Sequence, residues 1–170
     1  REEKICLVGY HSLFYPDTTL VLNEIQSLRS ECDFLVTVAH WGEEYQDEES
    51  EAQREVARSF IDAGADLVIG HHPHVVQPVE IYKDKAIFYS LGNFLFDQDF
   101  SIPTRQSLAL ELSLGEDFQE FRLIPIEMSR ARLYYPDSQG YAERKEILTS
   151  KLSKSLKAEI SSQNSFRLPR

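Results

Sequence analysis

The feature that most constrains this chain is an alternation of apolar runs and helical stripes across its first 70 residues. Ile5-Cys6-Leu7-Val8-Gly9, Phe34-Leu35-Val36-Thr37-Val38-Ala39 and Asp66-Leu67-Val68-Ile69-Gly70 are short and almost continuously apolar, the pattern of strands buried on both faces. Between the first two, Val21, Ile25 and Leu28 recur at helical spacing behind Asp17-Thr18, which suits an N-cap. Between the second and third, from about Ser50 to Ala63, Ala52, Val56 and Phe60 share a face with Ala57 and Ile61, and Gly64 is placed to end that helix in the left-handed conformation. Strand, helix, strand, helix, strand calls for a parallel sheet with right-handed crossovers. The fold class is α/β.

After Gly70 the rhythm changes. Val75 to Tyr82 and Ala86 to Ser90 read as a hairpin joined by Lys83-Asp84-Lys85. Leu108, Leu110, Leu112 and Leu114 alternate with Ala109, Glu111 and Ser113, and Phe118 to Met128 returns after the turn Gly115-Glu116-Asp117. This second half reads as antiparallel β. The charge then changes sign. From Tyr141 to Arg170 there are seven Lys/Arg against three Asp/Glu, a balance of +4, whereas the first 140 residues carry 11 basic and 25 acidic groups, a balance of −14. Residues 1–140 are therefore read as the core, and 141–170 as an appendage.

In the appendage, Ile147, Leu148, Leu152, Leu156 and Ile160 form one apolar stripe accompanied by Lys145, Lys151, Lys154 and Lys157. The pattern reads as a basic amphipathic helix docked on its own domain; such a helix also suits an anionic membrane surface. Ser161-Ser162-Gln163-Asn164-Ser165 reads as a frayed tail.

Charge and hydropathy exclude several classes. A net charge of −10 argues against a nucleic-acid partner held by a basic surface. No apolar run reaches the roughly 18 residues that a membrane helix needs, and Arg1-Glu2-Glu3-Lys4 is no signal peptide. The two cysteines are too few for a disulfide framework. Cys6 and Cys32 lie near the starts of two strands, which allows a bridge; the expectation is two buried free thiols.

Chemistry gathers where the strands end. His40 closes the second apolar run, and His71, His72 and His74 follow the third. The C-terminal edge of a parallel sheet is where open α/β folds bind ligands. His72 and His74, two apart, project to one side if their segment is extended. Neutral imidazole is a common ligand for zinc and similar metals, and three histidines make a common open site. Beside His40 stand the only tryptophan, Trp41, and then Glu43, Glu44, Asp47, Glu48, Glu49 and Glu51. Most of these acids read as a solvated loop and the first turn of the second helix, with Glu44 the preferred candidate to reach a metal or act as a general base. Tyr89-Ser90-Leu91-Gly92-Asn93-Phe94 follows the last strand of the hairpin, and Ser90 and Asn93 read as lining the site or forming a turn. Ser90 has no local base to make it a nucleophile.

Three linked motifs occur in order. His40-Trp41-Gly42-Glu43-Glu44-Tyr45, Ala63-Gly64-Ala65-Asp66-Leu67-Val68-Ile69-Gly70-His71-His72-Pro73-His74 and Tyr89-Ser90-Leu91-Gly92-Asn93-Phe94 resemble those of the CapA/PgsA family of bacterial capsule and poly-γ-glutamate synthesis proteins. The resemblance spans about Ile5 to Met128. It implies a relation to the calcineurin-like metallophosphoesterases, whose fold is a helix-flanked β-sandwich around a two-metal centre. His40 matches their late His, and His72-Pro73-His74 resembles their Gly-His-x-His. The extra residue in Gly70-His71-His72-Pro73-His74 leaves either His71 or His72 as the ligand beside His74.

The Asp-x-His, Gly-Asp and Gly-Asn-His motifs of those enzymes are missing from this sequence. The expectation is that it forms the C-terminal portion of a longer protein. A two-metal centre needs a bridging carboxylate, so the expectation here is at most one ion, Zn²⁺ or Mn²⁺, held weakly by His40, His72 and His74, with His71 or Glu44 handling protons and Trp41, Ser90 and Asn93 lining the substrate. Half a sandwich exposes an apolar face, so homodimerisation or pairing with the remaining half is expected.

The resemblance implies an extracytoplasmic, membrane-anchored protein working with capsule-assembly membrane proteins on an anionic polymer or a small phosphorylated substrate. It also leaves open a metal-dependent hydrolase of phosphoesterase type acting on a cell-surface substrate.

Overall fold

A computed structural model describes residues 3–134 and 164–170. Its first sheet is built from β1 (Ile5–His11), β2 (Phe34–His40), β3 (Leu67–His71), β4 (Val79–Tyr82) and β5 (Lys85–Phe88) in the order β1-β2-β3-β5-β4. The pairs β1–β2, β2–β3 and β3–β5 are parallel, and β4 closes the far edge antiparallel to β5. The second sheet is antiparallel: β6 (Gln106–Leu114) and β8 (Arg132–Tyr134) flank β7 (Phe118–Ser129), which also pairs with β9 (Ser165–Pro169). A short helical turn, α3 (Ile102–Arg105), enters β6.

Two apolar layers hold these elements together. On one face of the first sheet, Val8, Leu35, Val68 and Ile87 meet Ile25 of α1 (Thr19–Leu28) and Ala57, Phe60 and Ile61 of α2 (Glu51–Ala63). On the other face, Val36, Leu67 and Phe88 pack against Leu108, Phe121, Leu123 and Phe166 of the second sheet. The result is helix, sheet, sheet: two β layers with helices on one flank, as the fold class anticipates. The ends of α2 follow from its sequence. Ser50 and Gln53 form a reciprocal capping box, and Gly64 stops the helix at φ 121°.

Several local expectations need correction. The hairpin does not belong to the antiparallel half. Ala86, Ile87 and Phe88 are buried on both faces, so β5 suits the interior of the first sheet and pairs in parallel with β3. Its turn is two residues, Lys83 and Asp84, both at positive φ, which matches the twist of tightly connected strands.

The cysteines are not free thiols. Cys6 and Cys32, with Cα atoms 5.9 Å apart, form a disulfide, because β1 and β2 lie side by side and Cys32 stands two residues before β2 begins. The amphipathic helix expected between 147 and 160 lies outside the described residues. Asn164 and Ser165, expected in a frayed tail, instead lead into and begin β9: Phe166 and Leu168 point into the core while Arg167 points out, the alternation of a half-buried strand.

Candidate metal centre

The first three parallel strands all run further than their apolar cores, and each takes a histidine with it. His11, His40 and His71 end β1, β2 and β3 and stand opposite one another in register, His11 with His40 and His40 with His71. His72 and His74 follow β3 at once, so all five histidines of the chain meet at this one sheet edge. His11 escapes a reading by apolar run, since Tyr10 and His11 lie beyond the Gly9 that closes the first apolar run. Its signal lies in the pairing, which sequence spacing does not carry.

The rings form a row. His11 stacks on His40 with centroids 4.6 Å apart, His40 stands 4.7 Å from His72, and His72 stands 5.7 Å from His74. Aromatic rings extend the row at both ends: Phe14 lies 4.9 Å from His11, and Phe96 stacks 5.3 Å from His74.

His72 and His74 do not converge through an extended segment. Both adopt positive φ, 103° and 61°, around Pro73. A tight turn, not strand alternation, brings the rings together. For non-glycine residues this conformation is uncommon and costs of order 1 kcal/mol or more each, and such strain concentrates at functional sites.

Ligand atoms from Glu44, His72 and His74 all lie within 4.8 Å of one another. Of the two candidates beside His74, His72 is the one in this group. His40 stands one ring further along, against His72, and His71 sits behind His40 in strand register. Burial alone holds the His71 pKa below its usual value. For His40, burial is the largest cause, and the neighbouring imidazoles push in the same direction. For His72, burial and His74 lower the pKa against the opposing pull of Glu44. All three are thus kept neutral, the form that ligates metal.

Asn93 fixes the tautomer of His74. Its Nδ2 donates to the Thr104 carbonyl (3.1 Å), which turns its Oδ1 toward His74 Nδ1 at 2.7 Å. A carbonyl oxygen only accepts, so Nδ1 carries the proton and donates. In neutral His74 the Nε2 lone pair is then bare, and it faces Glu44 Oε1 at 3.5 Å. Two acceptors so placed repel unless a cation or proton lies between them. The donor set and its supporting hydrogen bond therefore fit a divalent ion, with Asn93 doing for His74 what outer-shell carbonyls do for metal-bound imidazoles.

The remaining expected residues separate. Trp41 does not line the site. It is 2% exposed, its Nε1 donates to the Tyr89 carbonyl (3.0 Å), and its ring packs toward Phe60 on the helix side, because strand alternation sends residues 40 and 41 to opposite faces. Ser90 is buried, and its Oγ accepts from Gly92 N–H, so it forms the turn. Beside His11, His40 and His71 opens a cavity of about 560 Å³ lined largely by Tyr10, Tyr15, Leu20 and Val21.

Known proteins carry the same stretch of chain. A family model described as "Bacterial capsule synthesis protein PGA_cap" matches residues 8–98. The chain is 40% identical over 116 residues to the PGA biosynthesis protein CapA of Bacillus subtilis, an alignment covering 68% of this chain and 30% of that protein. It is 44% identical over 89 residues to the capsule biosynthesis protein CapA of Bacillus anthracis, covering 52% and 21% respectively. A probable polyglutamine synthesis accessory protein of Mycobacterium tuberculosis is 30% identical over 110 residues, covering 59% and 29%. The alignments thus span under a third of the length of these relatives. Among the described residues, no helix is long and apolar enough to cross a membrane.

Proposed function

The chain belongs to the bacterial capsule synthesis protein PGA_cap family, and on that premise we propose that it serves the making of a poly-γ-glutamate type of surface polymer through a divalent-metal site. The observation that carries the metal is His74 Nε2 facing the Glu44 carboxylate at 3.5 Å, with Asn93 holding the other ring nitrogen. Glu44, His72 and His74 would hold the ion, and His40, its ring tilted against His72 with centroids 4.7 Å apart, keeps that ring in place. An imidazole and carboxylate set suits Zn²⁺ or Mn²⁺. Such an ion supplies Lewis-acid polarisation of an anionic oxygen, and it offsets the negative loop from Glu43 to Glu51 that would otherwise repel an anionic polymer.

The Cys6–Cys32 disulfide supports a place outside the cytoplasm, where such bonds persist. Capsule-assembly membrane proteins are the proposed partners, and membrane attachment is part of the same proposal.

A second reading, hydrolysis of a phosphorylated or polymeric substrate, is favoured by the cavity next to His11, His40 and His71. There His71, neutral and within reach of the edge, is the candidate proton carrier.

The test replaces both turn histidines. The His72→Ala, His74→Ala double variant should lose Zn²⁺ or Mn²⁺ measured by elemental analysis, and should fail to restore polymer output when placed in the full-length protein of a capsule-forming strain. A wild-type chain without measurable metal affinity, together with normal polymer output from the double variant, overturns the proposal. Turnover of a general phosphoester by the full-length protein, lost in the double variant, would favour the second reading.

A further inference from the structure

Gln77 lies three residues past His74 and is 1% exposed, yet it carries four hydrogen-bonding positions on its amide. Its Nε2 donates to the carbonyls of Gln46 and Glu48, each at 3.0 Å. Its Oε1 accepts from Gln53 Nε2 at 3.0 Å. Gln53 is itself buried, and its Oε1 accepts from the Ser50 backbone N–H at the start of α2. These partners fix which way each amide points. They also bind three separate pieces of chain: the acidic loop after β2, the first turn of α2, and the segment just past the His72-Pro73-His74 turn.

The loop so held carries Glu44. It has a second tie to the same turn, from Tyr45 N–H to the Pro73 carbonyl at 2.8 Å. Glu44 is itself half-exposed, with the Tyr45 side chain as a neighbouring partner. Two carbonyls of the same loop, held by a buried amide, anchor the stretch that follows it. Once their partner is lost they recover hydrogen bonds only by moving toward water.

We propose that Gln77 is a positioning residue for the metal centre: by clamping the carbonyls of Gln46 and Glu48 it holds the Glu44 carboxylate in reach of His72 and His74. The inference rests on the metal reading above. It adds the element that joins the acidic ligand to the two imidazoles, which come from a different strand connection.

The experiment measures Zn²⁺ affinity of the whole chain by competition with a chromophoric chelator, for wild type, Gln77→Met, Glu44→Gln and the double variant. Gln77→Met keeps the volume and removes the hydrogen bonds. Supporting residues of a metal site typically contribute roughly 10- to 100-fold in affinity, and a loss of about 10-fold is expected for Gln77→Met. In the Glu44→Gln background the same change should cost less than about 2-fold, because the clamp acts through a ligand already removed.

A merely structural role would give the same loss in both backgrounds, and that result, or an unchanged affinity, overturns the clamp. If Gln77→Met does not fold by thermal unfolding of the metal-free chain, Gln77→Glu takes its place. That side chain has the right length and still accepts from Gln53, but cannot donate to the loop carbonyls. Wild-type protein that binds no Zn²⁺ removes the metal reading and the clamp together, whereas wild-type binding with unaffected Gln77 variants removes the clamp alone.

Discussion

Gly70 shows how the site's support depends on a single missing methyl group. A Cβ built there would lie 2.0 Å from the Tyr89 carbonyl oxygen and 2.5 Å from Trp41 Nε1, the two atoms whose hydrogen bond ties β2's end to the residue following β5. Neither is the free end of a flexible side chain. Gly70→Ala is expected to cost about 2–3 kcal/mol by overpacking, read as a lower midpoint in urea with Trp41 fluorescence as the probe. An unshifted midpoint would mean the indole has room that these contacts deny it. From the sequence, Gly70 reads only as the end of a strand. Its real constraint comes from Trp41 and Tyr89, 29 positions before and 19 after it, and pattern reading has no access to that meeting. Trp41 lies away from the site for a related reason: adjacency to His40 in the chain suggests proximity to the ligand, whereas the pleat turns neighbours to opposite faces.

At the scale of elements, periodicity carried most of the fold. The parallel strands, both long helices and the β6–β7 pair follow from runs and stripes legible by eye, with boundaries off by one or two residues. The exceptions are elements whose partners are distant. β5 joins the parallel sheet because its apolar run is covered on both sides, and β9 reaches β7 from the far end of the chain. In β9, Phe166 stacks on Phe121 with centroids 5.0 Å apart and is 3% exposed. Phe166→Ala is expected to destabilise the protein by about 3–4 kcal/mol through lost burial and a cavity in the layer between the sheets, measured by chemical denaturation. A cost below about 1 kcal/mol would show that β9 is dispensable to that layer.

For the whole molecule, the gathering of neutral imidazoles at one edge makes stability a function of pH. His40, His71 and His72 have pKa values held below 6.5 in the folded chain. In the unfolded chain they titrate near 6.5. Above that pH both states are neutral, and the imidazoles add no pH dependence. Below it the unfolded chain takes up protons that the folded one resists, so stability falls as pH drops from about 6.5 through the folded-state values. Metal-free protein should therefore lose stability between pH 7 and pH 5, and His71→Gln should flatten that slope, since burial alone depresses this residue. Equal slopes for wild type and variant in thermal melts across this range would contradict the burial of a neutral His71.

The sequence by itself determined the α/β class, the helix-flanked sheet, the family and the strand ends that carry His40, His71, His72 and His74, because local runs, caps and short motifs are properties of neighbouring residues. Tertiary structure alone decided that His11 joins the row, that His72 and not His71 meets Glu44, that Asn93 sets the proton on His74, and that Cys6 bonds to Cys32. Each of those outcomes depends on which strands lie side by side and in what register, and register is fixed by the packing of the whole sheet, which no single segment encodes.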